Sequence, residues 1–396
     1  MNLNGIRHED QLLLCFARTA IDEETASRIH SLIGQNIDWR YLLERATHHR
    51  VIPLLYRGLL RSRTGLVPDR VMAELAHQSA AIAARNLLLT AELIKLSEWL
   101  DSQQIRAIPY KGPALAVLAY GSVGLRHFGD LDILVQPSDY LKTRNLFLAR
   151  GYQLISDWGW ECGLSDDTHA IGVDLHKGLG PVQFPVKLNF ERLWKRRQPV
   201  SIAGGRISTF CAEDMLIVLC IQLIKDAWGW HHLRLSKVCD IAELLRARPE
   251  IDWTRVLDEA GKIGCRRMLL LSLFVAHEWF GAPIHSIPNP QRDARLDPLA
   301  GHILHRIFQD GEQPSCGQMS RETFHFQVRE RWRDKLYPWY HEFKLRLIPN
   351  ELDRAVLELP PALCFLYYLI RPIRVVRDRS RTALSLLKAK WMRWSR

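Results

Sequence analysis

The spacing of apolar residues predicts three regions along the chain. Up to about residue 100, apolar residues recur at helical spacing, as on one face of an α-helix. In one such helix this face is lined by four leucines, Leu89, Leu93, Leu96 and Leu100. The helical period returns at Ala212. We therefore predict an N-terminal helical region at 1–100, a central α/β region at 101–210 and a C-terminal helical domain at 211–345.

The central region begins with a strand, a helix and a second strand. An extended run, "IRAIPYKG", ends at Gly112, and Pro113 suits the first turn of the helix that follows it. The polar, glycine-rich loop "GSVGLRHFG" then leads into the apolar strand "DLDILVQ". This order is the start of a sheet whose strands are connected by helices.

The same alternation continues for another 40 residues or so. A helix is predicted with Ser138 as its N-cap and Gly151 as its stop. Strands follow in "YQLIS" and "HAIGVDLHKGL". The resulting β-α-β-α-β order predicts the fold class α+β, with a small mixed β-sheet core flanked by N-terminal and C-terminal helical domains.

Two aspartates stand at the start of an otherwise apolar strand. Residues two apart in a strand point to the same side, so Asp130 and Asp132 project together while Leu131 and Ile133 face the core. Two like charges repel, and burying them is costly unless a cation lies between them. Because Mg²⁺ takes oxygen ligands and commonly binds one or two carboxylates plus substrate phosphates, this pair predicts a divalent-cation site.

A third acid lies in the later strand "GVDLH". The alternation there places Asp174 and His176 on one face. If this strand lies beside the first, three carboxylates converge, and two cations held by them would activate a hydroxyl and stabilise a leaving pyrophosphate. We expect His176 to be a packed or hydrogen-bonding histidine rather than a metal ligand.

The positive charge of the chain is concentrated at its end. The formal net charge is +11, yet residues 371–396 alone hold nine basic residues and one acid. We predict a basic amphipathic tail at 346–396 and leave three interpretations open: attachment to an anionic membrane surface, contact with a nucleic-acid backbone, or a solvated end. No RNA-reading motif supports the nucleic-acid interpretation. The proline-rich stretch at about 285–330 is expected to be a linker, a long excursion or irregular structure.

Cysteine usage and hydropathy favour the cytoplasm. None of the eight cysteines forms a C-x-x-C pair, and several lie in apolar, helical-looking sequence. We therefore expect a reducing, cytosolic location, with peripheral membrane attachment left open. The first residues lack the basic-then-apolar pattern of a signal peptide, and no apolar stretch approaches the roughly 20 residues that span a bilayer.

Several quoted segments together resemble a known family. "IPYKGPALAVLAYGSVGLRHFGDLDILV", "VDLH" and "EDMLIVLCIQLIKDAW", followed by "KVCDIAELL", are similar to the bacterial uncharacterised nucleotidyltransferases of the polymerase-β-like superfamily. The resemblance covers roughly residues 35–280. It implies a nucleotidyltransferase sheet with metal ligands at Asp130 and Asp132. It further implies that Asp174 is the third acid, which helps to deprotonate the acceptor hydroxyl.

The resemblance also implies where a nucleotide would bind. Lys111 and Gly112 stand where the superfamily has a Gly-Ser or Gly-Gly turn against the nucleotide phosphates. Because Pro113 has neither a hydroxyl nor an N–H, that contact is missing, and the resemblance assigns the phosphates to Lys111 and Arg126. For Arg126 the alternative is a structural ion pair with Asp130 or Asp132. The "YGS" segment at 120–122 is a second candidate for the turn.

In the helical domain two further lysines are candidates. Lys225 and Lys237 match the family pattern and are carried over as nucleotide-binding residues, with solvated positions as the alternative. Gln222 stands where family members often have a histidine, which puts a role for that position in doubt. Asp240 also matches and is expected either to line the cleft or to pair locally.

Together these features predict an Mg²⁺- or Mn²⁺-dependent enzyme that moves a nucleoside monophosphate from an NTP to an unidentified acceptor. One alternative is a non-catalytic nucleotide-binding accessory protein. A glycosyltransferase that binds a metal through D-x-D is a weaker alternative, because such folds usually begin with a nucleotide-binding βαβ unit, whereas about 100 helical residues come first here.

Overall fold

A computed structural model describes residues 6–369, 371 and 374, apart from a few internal gaps. The gaps are 63–64, 167, 169–170, 182–183, 185, 230–232, 285–294, 309–318 and 349–359. The chain forms two compact units, residues 1–331 and 332–396. In the first unit the buried apolar residues form one continuous core from Leu12 to Val328. Of the predicted basic tail at 346–396, the structure describes only 346–348, 360–369, 371 and 374.

Five helices precede the sheet. They are α1 (His8–Phe16), α2 (Glu23–Ile33), α3 (Trp39–His48), α4 (Ile52–Ser62) and α5 (Asp69–Ser102). The predicted leucine face belongs to α5, and Leu89, Leu93, Leu96 and Leu100 are all buried in the core. The helical period therefore predicted both this element and its buried side correctly.

A five-stranded mixed sheet forms the centre of the first unit. Its strands are β1 (Ala107–Pro109), β2 (Asp130–Val135), β3 (Gln153–Asp157), β4 (Glu161–Ser165) and β5 (Gly172–His176). Their spatial order is β1-β2-β5-β4-β3. Strands β2 and β5 are parallel, and the other pairs are antiparallel. The predicted small mixed sheet is thus confirmed.

Helices connect and follow these strands. Helix α6 (Gly112–Tyr120) joins β1 to β2, α7 (Tyr140–Ala149) joins β2 to β3, and α8 (Phe190–Arg196) precedes a hairpin of β6 (Gln198–Ile202) and β7 (Gly205–Thr209). The later helices are α9 (Ala212–Trp228), α10 (Ser236–Ala247), α11 (Trp253–Ile263), α12 (Arg266–Phe280), α13 (Leu296–Phe308) and α14 (Arg321–Val328). Helix α10 packs against α6, α9 and α12, which brings the C-terminal helices against the sheet region.

Three local expectations were wrong or incomplete. Ser138 is not an N-cap, because α7 begins at Tyr140 after Asp139, and no side chain caps it. Gly151 does follow the helix end, with a φ of +97° that favours glycine. Strand β4 and the β6–β7 hairpin were missed because they are short and flanked by polar residues. The stretch at 285–330, expected to be a linker, a long excursion or irregular structure, contains α13 and α14.

The second unit contains α15 (Trp332–Leu347) and a short 3₁₀ helix, Pro361–Leu366. Within the described part of the chain, none of the helices combines the length and apolarity that a membrane crossing requires.

Candidate active site

The adjacent strands β2 and β5 place the predicted acids on one face of the sheet. Asp132 lies directly opposite Asp174, and Asp130 lies opposite Gly172. Ligand atoms of Asp132, Asp174 and His176 lie within 4.8 Å of one another. Asp130 is one step nearer the start of the strand and stands outside this tight group. The alternation in the two strands therefore predicted correctly which side chains share a face, and the parallel register of β2 and β5 places Asp132 next to Asp174.

Asp132 is held by two cationic side chains. Its Oδ1 accepts a hydrogen bond from Lys111 Nζ at 2.7 Å and lies 3.1 Å from His176 Nε2. The carboxylate is only 7% exposed. Burial alone would raise the pKa of Asp132, but Lys111 and His176 outweigh it and hold that pKa well below its ordinary value. Asp132 is therefore ionised at all ordinary pH values.

Lys111 is committed to the same pair. Burial disfavours its charged form, but attraction to Asp132 raises the pKa of Lys111 above its ordinary value. Its backbone precedes Gly112, which has a φ of +52° and whose missing Cβ would lie 3.3 Å from the Asp130 carbonyl oxygen. The lysine-glycine turn thus needs glycine, and it aims the lysine at Asp132.

His176 lies between two carboxylates. Besides Asp132, its Nδ1 lies 3.2 Å from Glu161 Oε2 on β4, although the geometry is poor for a hydrogen bond. Burial lowers the pKa of His176, but its hydrogen bond to Asp132 and its interaction with the nearby Glu161 carboxylate raise that pKa overall. This environment favours the protonated imidazolium, whose Nε2–H donates to Asp132. His176 therefore positions Asp132.

Asp174 and Asp130 are uncommitted. Among the described residues, neither carboxylate has a hydrogen bond or an ion pair. Burial, followed by repulsion from Asp132 and then from Asp130, raises the pKa of Asp174 to about 7. A divalent cation would relieve this repulsion. The oxygens of Asp174 and the Oδ2 of Asp132 are donors of the kind that a hard cation such as Mg²⁺ or Mn²⁺ prefers, and Asp130 lies beside them on the same strand.

Arg126 has a different partner from either of those considered. It forms a two-point ion pair with Asp240 of α10, with Nε–Oδ1 and Nη2–Oδ2 distances of 2.8 and 2.9 Å. Tyr120 also donates to Asp240 at 2.8 Å. The suggested pairing of Arg126 with Asp130 or Asp132 was wrong. The pair instead fastens the loop before β2 to the C-terminal helices, and among the described residues the buried Arg126 Nη1 has no hydrogen-bond partner.

The two candidate lysines of the helical domain meet at Asp226. Lys237 Nζ lies 2.8 Å from Asp226, whereas Lys225 Nζ is 3.7 Å away. Lys225 also lies 4.9 Å from the ring centre of Trp160, whose ring is 5.8 Å from that of His176. Burial lowers the pKa of Lys225. Lys225 thus borders the acidic site, and Lys237 is committed to Asp226.

Three neighbours were missed in the sequence. Glu161 and Trp160 lie on or beside β4, and Asp226 follows Lys225 in α9. The signal for β4 was the apolar alternation of Cys162 and Leu164, which is too short to stand out. Gln222, where a role was doubted, donates to the Leu179 carbonyl at 3.1 Å and is buried.

Comparison with known proteins identifies the family to which the chain belongs. The model of a family described as uncharacterised nucleotidyltransferases matches residues 35–281, which is more than half of the chain. The chain therefore belongs to this nucleotidyltransferase family. A comparison with curated protein sequences gave no match. One similar solved structure is an antigenic nucleotidyltransferase-like protein from Paracoccidioides brasiliensis. It is 15% identical, covers 44% of this chain and 88% of that chain, and has a TM-score of 0.28.

Proposed function

We propose that the protein is a divalent-metal-dependent enzyme that transfers a nucleoside monophosphate from an NTP to an acceptor and releases pyrophosphate. The observation that carries this proposal is the face shared by Asp130, Asp132 and Asp174, in a chain of a nucleotidyltransferase family. Two of these carboxylates are uncommitted, and the third is fixed in its ionised form.

The chain's own residues divide into holding and positioning roles. Asp130, Asp132 and Asp174 would hold the cation, while Lys111 and His176 fix the rotamer and charge of Asp132. Mg²⁺ or Mn²⁺ supplies charge neutralisation at the triphosphate. This division explains why Lys111, assigned to phosphate in the sequence, is bonded to an acid instead.

The reaction is an in-line displacement at the α-phosphorus. The acceptor oxygen forms a new P–O bond while the bond to the bridging oxygen breaks, and pyrophosphate leaves with that electron pair. Asp174 accepts the proton of the acceptor hydroxyl. It suits this role because it lies opposite Asp132 on the neighbouring strand and its carboxylate has no hydrogen bond among the described residues.

The test is transfer of label from α-³²P NTPs of all four bases, with Mg²⁺ or Mn²⁺ and pools of metabolites, RNA or protein as acceptors. We expect pyrophosphate release and labelled product that disappear with EDTA and in Asp132→Asn. Asp101→Asn, an exposed aspartate at the end of α5, is the matched control and should retain activity.

Two other outcomes would overturn the proposal. Metal-dependent NTP binding without any product would favour a non-catalytic nucleotide-binding protein. Release of a nucleoside diphosphate from a sugar nucleotide would favour a glycosyltransferase. Transfer that is equal in wild type and Asp132→Asn would refute the assignment of the site.

A further inference from the structure

Three arginines and a histidine collect near Asp130, and among the described residues only Arg126 has an acidic partner, which is Asp240. Arg50 follows α3, Arg126 and His127 lie in the loop before β2, and Arg234 precedes α10. Among the described residues, the guanidinium of Arg50 makes no hydrogen bond or ion pair. Three buried atoms of the others, Arg126 Nη1, His127 Nδ1 and Arg234 Nε, have no hydrogen-bond partner in the part of the chain that the structure describes. Such a set is costly to hold together unless an anion binds there.

Backbone contacts bring these arginines together. The Ser236 N–H donates to the His49 carbonyl at 3.4 Å, and the Leu235 N–H donates to His49 Nδ1 at 3.3 Å. The segment after α3 is thereby fastened to the segment before α10. The Nη2 atom of Arg50 then reaches Gly129, where an added Cβ would lie 3.7 Å from it. Arg50 therefore borders the residue that immediately precedes Asp130.

The charges of these groups act on one another. Burial lowers the pKa of Arg50, and repulsion from Arg234 lowers it further, while attraction to Asp130 opposes both. Burial also lowers the pKa of His127 to about 4, with further lowering by Arg50 and Arg234. The cluster is thus mutually repulsive and lies against the acidic site.

Arg50 is held in a strained backbone conformation. Its φ is +58°, in the left-handed region, at the position after a helix where glycine is usual. The Val51 N–H closes the helix end on the Ala46 carbonyl at 2.9 Å. Glycine would satisfy this turn with less strain, so an arginine here is better explained by its side chain than by its backbone.

We propose that Arg50 and Arg234, with Arg126 Nη1 and His127, form a phosphate-binding subsite beside the metal-binding carboxylates. The inference rests on the proposed function, which supplies two sources of phosphate: the polyphosphate of the NTP or a phosphate group on the acceptor. Guanidinium groups bind phosphate through paired N–H donors, and this explains arginines rather than lysines at these positions.

The test is calorimetric binding of inorganic tripolyphosphate in EDTA, which excludes the metal. We expect Arg50→Gln and Arg234→Gln each to weaken binding at least tenfold. Arg40→Gln, on an exposed arginine of α3, should leave binding unchanged. Arg50→Gly should lose binding equally while raising Tm, which separates loss of the side chain from misfolding.

Competition identifies the source of the phosphate. If the subsite binds the NTP, tripolyphosphate will compete with a non-hydrolysable NTP; if it binds the acceptor, both will bind together. Unchanged affinity in both Gln variants would overturn the subsite but leave the transferase proposal standing. Conversely, tripolyphosphate binding with the expected variant effects, in a protein without transfer activity, would overturn the proposed function alone.

A separate observation concerns the second unit. Large apolar side chains of α15 lie on one side of the helix and are each more than half exposed: Trp332, Leu336, Trp339, Tyr340 and Phe343. Their spacing confines them to an arc of about 100°. Arg333 and Lys344 on the same helix are also exposed. In addition, residues 371–396 contain nine basic residues and one acidic residue.

We infer that α15 lies in the surface of an anionic membrane, with its aromatic side inserted and its cations near the lipid headgroups. Aromatic residues with flanking lysine and arginine are typical of helices at the membrane interface. The charge complementarity of the basic residues selects an anionic surface. This attachment does not require α15 to cross the bilayer.

Vesicle flotation tests the inference. We expect the full chain to float with phosphatidylcholine vesicles containing phosphatidylserine, to float less in high salt, and to remain unbound to phosphatidylcholine alone. Trp339→Ser with Phe343→Ser should abolish flotation. Trp158→Ser, on a tryptophan that is equally exposed at 68%, should not. Failure to float would overturn membrane attachment. A dimer in solution that the double variant converts to a monomer would also overturn it, and would show that a second copy of the chain covers the aromatic side of α15.

Discussion

The carboxylate of Asp174 is proposed to bind the cation, yet its charge should destabilise the folded protein when no metal is bound. In the metal-free protein the pKa of Asp174 is raised from 3.8 to about 7 by burial and by repulsion from Asp132 and Asp130. A shift of about 3 units corresponds to about 4 kcal/mol. Replacing Asp174 with asparagine removes this charge at nearly constant shape.

The sign follows from which state holds the proton. Between about pH 4 and pH 7 the folded carboxyl keeps its proton while the unfolded one releases it. The unfolded state then binds fewer protons, so this group makes the protein less stable as pH rises through that window. Asp174→Asn should therefore raise the free energy of unfolding by up to about 4 kcal/mol at pH 8, and by only about 1.5 kcal/mol at pH 5.

The assay is urea unfolding of both proteins in EDTA at pH 5 and pH 8, with Asp101→Asn as the control. We expect the gain at pH 8 to exceed the gain at pH 5, while Asp101→Asn changes little at either pH. An equal change at both pH values, or a loss of stability at pH 8, would show that the charged Asp174 is not repelled by Asp132 and Asp130.

Three further changes test the framework of the site. Lys111→Met leaves the buried Asp132 charge with one partner and should cost about 3–5 kcal/mol in urea unfolding; a loss below 1 kcal/mol would contradict the ion pair. Arg126→Lys replaces the two-point ion pair with Asp240 by a single bond and should lower Tm measurably. An unchanged Tm in this variant would argue against the two-point geometry. Gly112→Ala places a Cβ at positive φ and should lower the free energy of unfolding by at least about 1 kcal/mol. An unchanged free energy of unfolding would contradict the need for glycine in this turn.

Much of the site followed from short-range patterns. The alternation in "DLDILV" and "GVDLH" predicted which side chains share a face, because the strand period is fixed by the backbone. The convergence itself depended on β2 and β5 being neighbours. The chain returns through β3 and β4 to bring β5 beside β2. The spacing of apolar residues does not predict this strand order.

The partners of the cationic residues were beyond the sequence. Arg126 pairs with Asp240, which is 114 positions away, and Lys111 with Asp132. Side chains of this length reach several acids, and which one they meet is decided by how helices pack. The arginine after α3 carried a local signal in retrospect, since it occupies a position where glycine is usual, but nothing nearby linked Arg50 to the strand of Asp130.

Binding of a divalent cation by the carboxylates of β2 and β5 can be measured by Mn²⁺ titration followed by electron paramagnetic resonance. We expect a bound Mn²⁺ whose affinity increases as pH rises through about 7, as Asp174 loses its proton. The same titration should show at least tenfold weaker binding in Asp132→Asn and Asp174→Asn but not in Asp101→Asn. Undiminished Mn²⁺ affinity in both site variants would contradict it.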